Sequence, residues 1–512
     1  MKAAGSTYLS GLKTRCANWR EWEMNPIVIK ELRQGVRSWA VTGMLLLFLL
    51  VLFFASLGFL ITSSFDGSVN MELGGNMFST FVVILASASV FFIPLYTGVR
   101  VAAERVENNH DLLYVSTLSP ARIILGKFLC SAYIALLFFS ACMPFMAFTN
   151  LLRGVDLPTV FFILAFLFLM VCAANMVAIF LACLPLSRPF KFLFVIYGLF
   201  QSFGLLIPGV ALAFEMMRSG VGTMMAGRDF WIATSMVALA GIGVTGLFFV
   251  LSVALVSPPS ANRAVPVRIY LTVFWLIDGL VTLGWITQSG EADRILGWAI
   301  PTFILMVLAL LVTVSNADTL SWRVRRTIPA SLWKRLVAFG FFNGAAGGLL
   351  WVAGILAATY GVTGFVTSAL RSSSLTVEDK TTSLIVATYA FDYALTSLFI
   401  QRRFLPRRPP KLAGLLTVLL AGSWAIAPAI VLFFLNKLSW KAFEGLQLGN
   451  VFNVFSNREA GQLLYHLYFA GGWLGVAGIL NAKWFARQWQ NFRPLESGTG
   501  SPAPGEVPPV IT

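Results

Sequence analysis

Two acidic residues stand where acids are costly. Asp278 in WLIDGL and Asp392 in TYAFDYALTSLF each fall midway along an apolar run. A carboxylate inside a bilayer costs about 2.5–3.5 kcal/mol on insertion scales, so each is expected to face protein or water. Such a residue could bind a cation or a proton, or it could be a hydrogen-bonded packing residue inside a helix bundle. Neither has an evident charged partner in an adjacent run. Other chemistry has little to build on. The two histidines, His110 and His466, and the five cysteines show no metal-ligand spacing. His466, in LLYHLYF, reads as a packed or interfacial histidine. Gly126-Lys127 is followed by Phe128 and lacks the upstream glycine of a phosphate-binding loop, so it cannot cradle phosphates. No enzymatic activity, metal or cofactor is expected of this chain, and any ATP hydrolysis is expected on another one.

A second kind of chemistry is recognition. ERVENNHDLLYVSTLSPARIILGK, residues 104–127, lies between two long apolar runs where a plain turn would suffice. Arg100, Glu104 and Arg105 form a charged exit from the membrane, and Asn108 and Asn109 can turn and cap. A short helix with Asp111 in its first turn fits residues 109–118, with Leu112 and Leu113 on its apolar edge. Ser119-Pro120 is a second cap and helix start, after which Arg122 and Lys127 could snorkel. The sequence therefore predicts a membrane exit, a short transverse helix and a re-entry, a shape suited to docking on a partner protein. Near the N-terminus, NPIVIKELRQGVRSW predicts an amphipathic surface helix capped by Asn25 and Pro26. Val28, Leu32, Val36 and Trp39 form its apolar stripe.

The elements that position these residues are membrane helices. The chain has 512 residues, 58% hydrophobic and 12% charged, against about 25% charged in soluble domains. Its mean hydropathy is +0.80. Apolar runs near 20 residues are long enough to cross about 30 Å of hydrocarbon as helices, and lipid demands that backbone groups be satisfied within the segment. The expected fold class is an all-α polytopic membrane protein with about twelve spans, at 39–63, 78–100, 125–149, 158–184, 190–213, 230–256, 267–287, 296–316, 336–360, 382–400, 413–436 and 464–485. With both termini cytoplasmic, most of the 37 Lys and Arg fall inside, including the loops SWRVRRTIPASLWKR and QRRFLPRRPPK. The net charge of +15 is thus a topology signal, and no nucleic acid is expected as a partner. The first apolar run follows a basic segment of 38 residues, which predicts no cleavable signal peptide.

Pro94, Pro144, Pro208 and Pro428 interrupt spans and are candidate hinges. Gly344/Gly348 and Gly471/Gly475 are Gly-x-x-x-Gly pairs that favour close helix approach. The Pro-, Gly- and Ser-rich tail after Arg493 is expected to be disordered. Residues 437–463, with NVFNVFSNREAGQ, are too polar to span and predict an interfacial helix or small cap.

Residues 25–256 resemble the permease subunits of ATP-binding-cassette type-2 exporters. The resemblance is carried by Asn25-Pro26, Lys30-Glu31-Leu32-Arg33, Glu104-Arg105, Asp111-Leu112-Leu113, Leu118-Ser119-Pro120 and Gly126-Lys127. The chain departs from that family's pattern at Val106, Asn108-Asn109 and Thr117. The resemblance implies a membrane-spanning exporter subunit whose helix near 109–118 docks on a separate ATPase subunit, which would hold ATP and Mg. Glu104, Arg105, Asp111, Leu112, Leu113 and Leu118 are the docking residues it implies. It also implies a polar re-entrant piece at 214–229, a second permease copy as a candidate partner, and residence in a bacterial cytoplasmic membrane. The expected domains are a cytoplasmic segment at 1–38, a six-span permease-like domain at 39–256, a second six-span domain at 257–490 without assigned role, and a tail at 491–512. Two other readings stay open. One is an ion-coupled secondary transporter built around Asp278 and Asp392. The other is a non-transporting scaffold that recruits an ATPase.

Overall fold

The computed structural model describes residues 26–66, 73–106, 119–152, 155–185, 188–258, 260–370, 376–435, 447–456 and 460–494. Among these residues the protein is helical, and twelve helices are long and apolar enough to cross a membrane. It is an all-α polytopic membrane protein. The chain divides into two compact units, residues 1–257 and 258–512, each with six of the spans.

In the first unit, helix α1 (Pro26–Val36) precedes the first span, α2 (Trp39–Asp66). The second span is α3 (Leu73–Ser87) joined through a π-helical turn, Ala88–Phe92, to α4 (Ile93–Val106). Pro94 explains the turn. It has no N–H to donate and its ring crowds the preceding carbonyls, so one widened turn absorbs both problems without breaking the span. The later spans are α5 (Pro120–Leu151), α6 (Leu157–Cys183), α7 (Arg188–Ser219) and α9 (Arg228–Val256), with the short helix α8 (Val221–Met224) before the last. Ser119 caps α5, accepting from the Arg122 N–H at 3.4 Å, with Pro120 at the first helical position. Pro144 and Pro208 lie inside α5 and α7, which run on through them.

Helix α6 is the centre of this unit, with α4, α9, α5 and α7 packed around it. A second layer of contacts joins Phe48, Phe81, Phe138 and Met146, all buried, with the Phe48 and Phe138 rings 5.3 Å apart. Between membrane helices such packing is van der Waals in origin, because lipid tails already shield apolar surface. The region expected to be re-entrant, 214–229, comprises the last residues of α7, the short helix α8 and the start of α9. The chain turns at Gly220 (φ +68°) into α8. Asp156, the N-cap of α6, accepts from the Gly222 N–H (3.2 Å), and Thr159 Oγ1 accepts from the Val221 N–H (2.9 Å).

The second unit contains α10 (Ala264–Ser289), α11 (Ile295–Val314), α12 (Trp322–Arg325), α13 (Leu332–Phe341), α14 (Ala345–Ala369), α15 (Val377–Phe404), α16 (Leu412–Phe434), α17 (Val451–Ser456) and α18 (Ala460–Asn491). Helix α15 is its hub, packed on α18, α16, α11 and α17, while α11 also packs on α14. A Thr376–Asp379 capping box starts α15. Pro428 lies inside α16, which continues through it.

One expected span is displaced. Residues 336–360 form no continuous helix, because the chain breaks at 342–344 between α13 and α14. Gly344 has φ +139°, a conformation that a side chain resists. The break is held from outside. Asn343 Oδ1 accepts from the Ala264 N–H at 2.8 Å, and Asn262 Oδ1 accepts from the Asn343 N–H at 3.1 Å.

The two glycine pairs behave differently. A Cβ on Gly348 would run into Thr313 and the Arg268 guanidinium, so this glycine permits a close helix approach. Gly471 and Gly475 meet nothing within 4 Å, so that pair seats no described neighbour.

Candidate functional site

The strongest concentration of charge in the first unit lies where α1, the end of α4 and the start of α5 meet. Glu31 is the hinge of it. Its side chain is only 8% exposed, and its carboxylate takes Arg100 at 3.3 Å and Lys127 at 3.2 Å. Lys127 also pairs with Glu104. Arg100 donates to Gln34 Oε1 at 2.7 Å and to the Tyr96 hydroxyl at 2.9 Å. Two cations and two carboxylates therefore balance, which makes this degree of burial tolerable.

The node sets which face of α1 packs on the protein. The buried face is Val28, Glu31, Leu32 and Gly35, and not the stripe Val28, Leu32, Val36 and Trp39. Val36 is 62% and Trp39 90% exposed. The ion pairs hold Glu31 inward, and Gly35 faces Ile134 of α5 at a spacing that would also admit a Cβ, at an ordinary 3.6 Å. Lys127 does not snorkel, because two carboxylates hold it.

Of the residues expected to dock a partner, Glu104 is in this node, engaged with Lys127. Arg105 belongs to the last turn of α4, and its side chain lies outside the described residues, as do Asp111, Leu112, Leu113 and Leu118 with the expected helix 109–118. The described structure thus supplies the root of that segment: α4 on one side, α5 on the other, and Glu104–Lys127 joining them. Sequence reading noted Glu104 and Lys127 separately. Glu31, which shares Lys127 with Glu104, stands in the sequence as one charge of the amphipathic helix and of the Lys30-Glu31-Leu32-Arg33 stretch.

The second unit holds polar groups in another way. Arg268 is 3% exposed and has no carboxylate partner among the described residues. It donates to three carbonyls around the break, those of Gly340 (2.8 Å), Phe342 (2.7 Å) and Gly344 (3.2 Å), and stacks over Trp351. It meets the carbonyls that the end of α13 leaves open, where a cation is favoured. Nearby, Asp318 accepts from the Ala345 N–H (3.2 Å) and the Trp484 indole (2.9 Å). Burial pushes the Asp318 carboxyl up from the ordinary aspartate value, against the pull of those two bonds and of the Arg402 charge. Arg402 lies 3.7 Å over the Trp484 ring and donates to Asn481. None of Arg268, Asp318 or Arg402 stood out in sequence, although the Asn343-Gly344 pair was a usable turn signal.

The two intramembrane aspartates are placed differently. Asp278 is half-buried on α10. Asp392 is fully buried near the midpoint of α15, and neither carboxylate oxygen has a hydrogen-bond partner among the described residues. Helix α10, with Asp278, packs on α11 and α13, whereas α15, with Asp392, packs on α18, α16, α11 and α17. No group of three or more His, Cys, Asp or Glu that could hold a metal ion is found among the described residues.

Comparison with known protein families, with curated proteins and with solved structures returns no match.

Proposed function

We propose that the chain is the membrane-spanning subunit of an ATP-driven exporter, worked by a separate ATPase subunit that grips the helix expected at 109–118. The observation that carries this reading is the Glu31–Arg100–Lys127–Glu104 node. It ties a surface helix to both membrane helices that flank the docking segment, so a push on that segment reaches α4, α5 and α1 together. In this reading the node lies on the cytoplasmic side, the host is a bacterial cytoplasmic membrane, and ATP and Mg are held by the partner. Glu104 then positions the docking segment through Lys127, while Asp111, Leu112, Leu113 and Leu118 meet the partner directly.

The test is co-purification of the full chain with an ATPase subunit from its own cells, together with ATPase stimulation. Replacing both Leu112 and Leu113 by Asp is expected to abolish association and stimulation while the membrane part stays folded. Undiminished association would sink the reading. A second reading, an ion-coupled carrier, is favoured by one observation, the buried and unpartnered Asp392. Transport driven by an ion gradient with no ATPase present would select it.

A further inference from the structure

Residues 447–456 are expected to lie at the membrane surface, yet they reach the middle of two long helices, α15 and α16. Gly449 packs on Trp424, near the midpoint of α16; a Cβ there would come within 2.7 Å of the indole, and Gly449 has φ +92°. Both backbone groups of Gly449 are taken by tyrosines one turn apart on α15. Tyr389 Oη accepts from the Gly449 N–H at 3.1 Å, and Tyr393 donates to the Gly449 carbonyl. Tyr389 also meets His466 Nδ1 of α18 at 2.9 Å. Both tyrosines lie well inside α15, roughly 18–24 Å along it at 1.5 Å per residue. Non-helical backbone is tolerated at such depth only when protein satisfies it, and here two phenols do so.

Asp392 stands on the same stretch of α15, within electrostatic reach of both tyrosines. It is fully buried, and both oxygens lack a partner. Among the described residues, the surrounding elements offer no counter-charge. Helices α11, α16 and α17 carry no titratable side chain at all. On α18 the titratable groups are His466, whose Nδ1 is engaged by Tyr389, the exposed Tyr465 and Tyr468, and Lys483 and Arg487 toward its far end. A metal cation would need several oxygen ligands. The helix through Asp392 is unbroken, so its carbonyls are committed. The nearby hydroxyls are committed too: Thr396 Oγ1 accepts from the Trp473 indole at 3.0 Å.

We propose that Asp392 is a proton-binding site at mid-membrane depth, closed by the Gly449 segment and its two tyrosine latches. In the closed state the side chain is a neutral carboxylic acid. When Gly449 leaves Tyr389 and Tyr393, water enters, the O–H bond breaks and the proton passes to that water, leaving a hydrated carboxylate. Reclosure requires the proton to return. No oxidant, reductant or metal takes part, and the inference does not rest on the ATPase reading. Discontinuous backbone beside an ionisable residue at the bilayer midplane is a general physical arrangement for ion sites.

The test is infrared spectroscopy of the full-length protein in lipid nanodiscs at neutral pH, in H2O and D2O. The wild type is expected to show a protonated-carboxyl C=O stretch that shifts on deuteration. It should vanish in Asp392→Asn, move in Asp392→Glu, persist in Asp278→Asn, and ignore added sodium or potassium. In Tyr389→Phe its deuterium exchange should quicken by roughly tenfold, as removal of latch hydrogen bonds implies. Identical spectra for the wild type and Asp392→Asn would overturn the site. Loss of the band on adding sodium or potassium at fixed pH would replace the proton with a metal cation. Unchanged exchange in both Tyr389→Phe and Tyr393→Phe would overturn the latch. Should Asp392→Asn fail to fold, the displaced band of Asp392→Glu still decides the assignment.

Discussion

The two units treat charge in opposite ways. The first gathers Glu31, Arg100, Glu104 and Lys127 at helix ends and pairs every one of them. The second has one ion pair among the described residues, the exposed Glu291–Arg294, and leaves its more buried charges without an opposite charge: Arg268 rests on carbonyls, Arg402 on an indole and an amide, and Asp392 on no described group. A paired cluster is a fastener, because its energy is lost when any member departs. A solitary buried group is tied to its surroundings only by how well they solvate it, so a change of surroundings changes its state. The contrast suggests a first unit built to transmit displacement and a second built to respond to what enters it.

The sharpest way to break this contrast is Glu31→Gln, which leaves Arg100 and Lys127 short of a buried partner. It is expected to destabilise the first unit by about 3 kcal/mol, read as a lowered midpoint of thermal unfolding in detergent. Asp392→Asn is expected to leave that midpoint nearly unchanged. Equal losses would erase the distinction between fastener and solitary group.

Next in size is Arg268→Met. It keeps an unbranched side chain but leaves the Gly340, Phe342 and Gly344 carbonyls without their donor, at a cost of about 2 kcal/mol. Accelerated amide exchange at 340–348 would locate the loss at the break. Unchanged exchange there would mean that Asn262 and Asn343 suffice to hold it.

The glycine pairs offer a finer comparison. Gly348→Ala is expected to cost about 1–2 kcal/mol through overpacking against Thr313 and Arg268, whereas Gly471→Ala should fall within about 0.5 kcal/mol of the parent. A substantial loss for Gly471→Ala would reveal a neighbour at that face, such as a second copy of the chain, and cross-linking from position 471 would identify it.

The smallest expected effect concerns Asp318. Because burial raises its carboxyl in the folded protein, the folded state binds its proton more tightly than the unfolded chain. That contribution is present at low pH and is lost as pH rises above the ordinary aspartate value of about 3.9. Asp318→Asn should therefore flatten the fall of the unfolding midpoint between weakly acidic and neutral pH. An unaltered slope would assign that fall to other groups.

The architecture was legible because lipid imposes it. Apolar runs of span length have few alternatives, and the expected and observed spans agree within a few residues except where a polar group intervenes from afar. That exception is instructive. The run from Leu336 to Tyr360 reads as one helix, and the break at 342–344 exists because Asn262, Asn343 and Arg268 satisfy the freed backbone. The packing of α1 was less legible, because Glu31, through partners in α4 and α5, decides which face meets the protein. Asp392 was visible as an anomaly from the start. Its lack of a charged partner in adjacent runs was legible too, but its full burial and the absence of a described hydrogen-bond partner were not, because those depend on how α11, α16, α17 and α18 pack around it.

The joint between α13 and α14 bears on how the protein meets membranes of different thickness. Leu332, Trp333, Leu336 and Val337 form an uncovered apolar side on α13, beside Lys334. That is the profile of a helix floating in the headgroup region. A span rigidly continuous with such a float would have to tilt as a whole when the hydrocarbon thins or thickens. With a pivot at Gly344, α14 can change its inclination while the float keeps its level. Trp333 emission should then stay constant across nanodiscs of short and long acyl chains, and the second unit would act as its own shock absorber against bilayer elasticity.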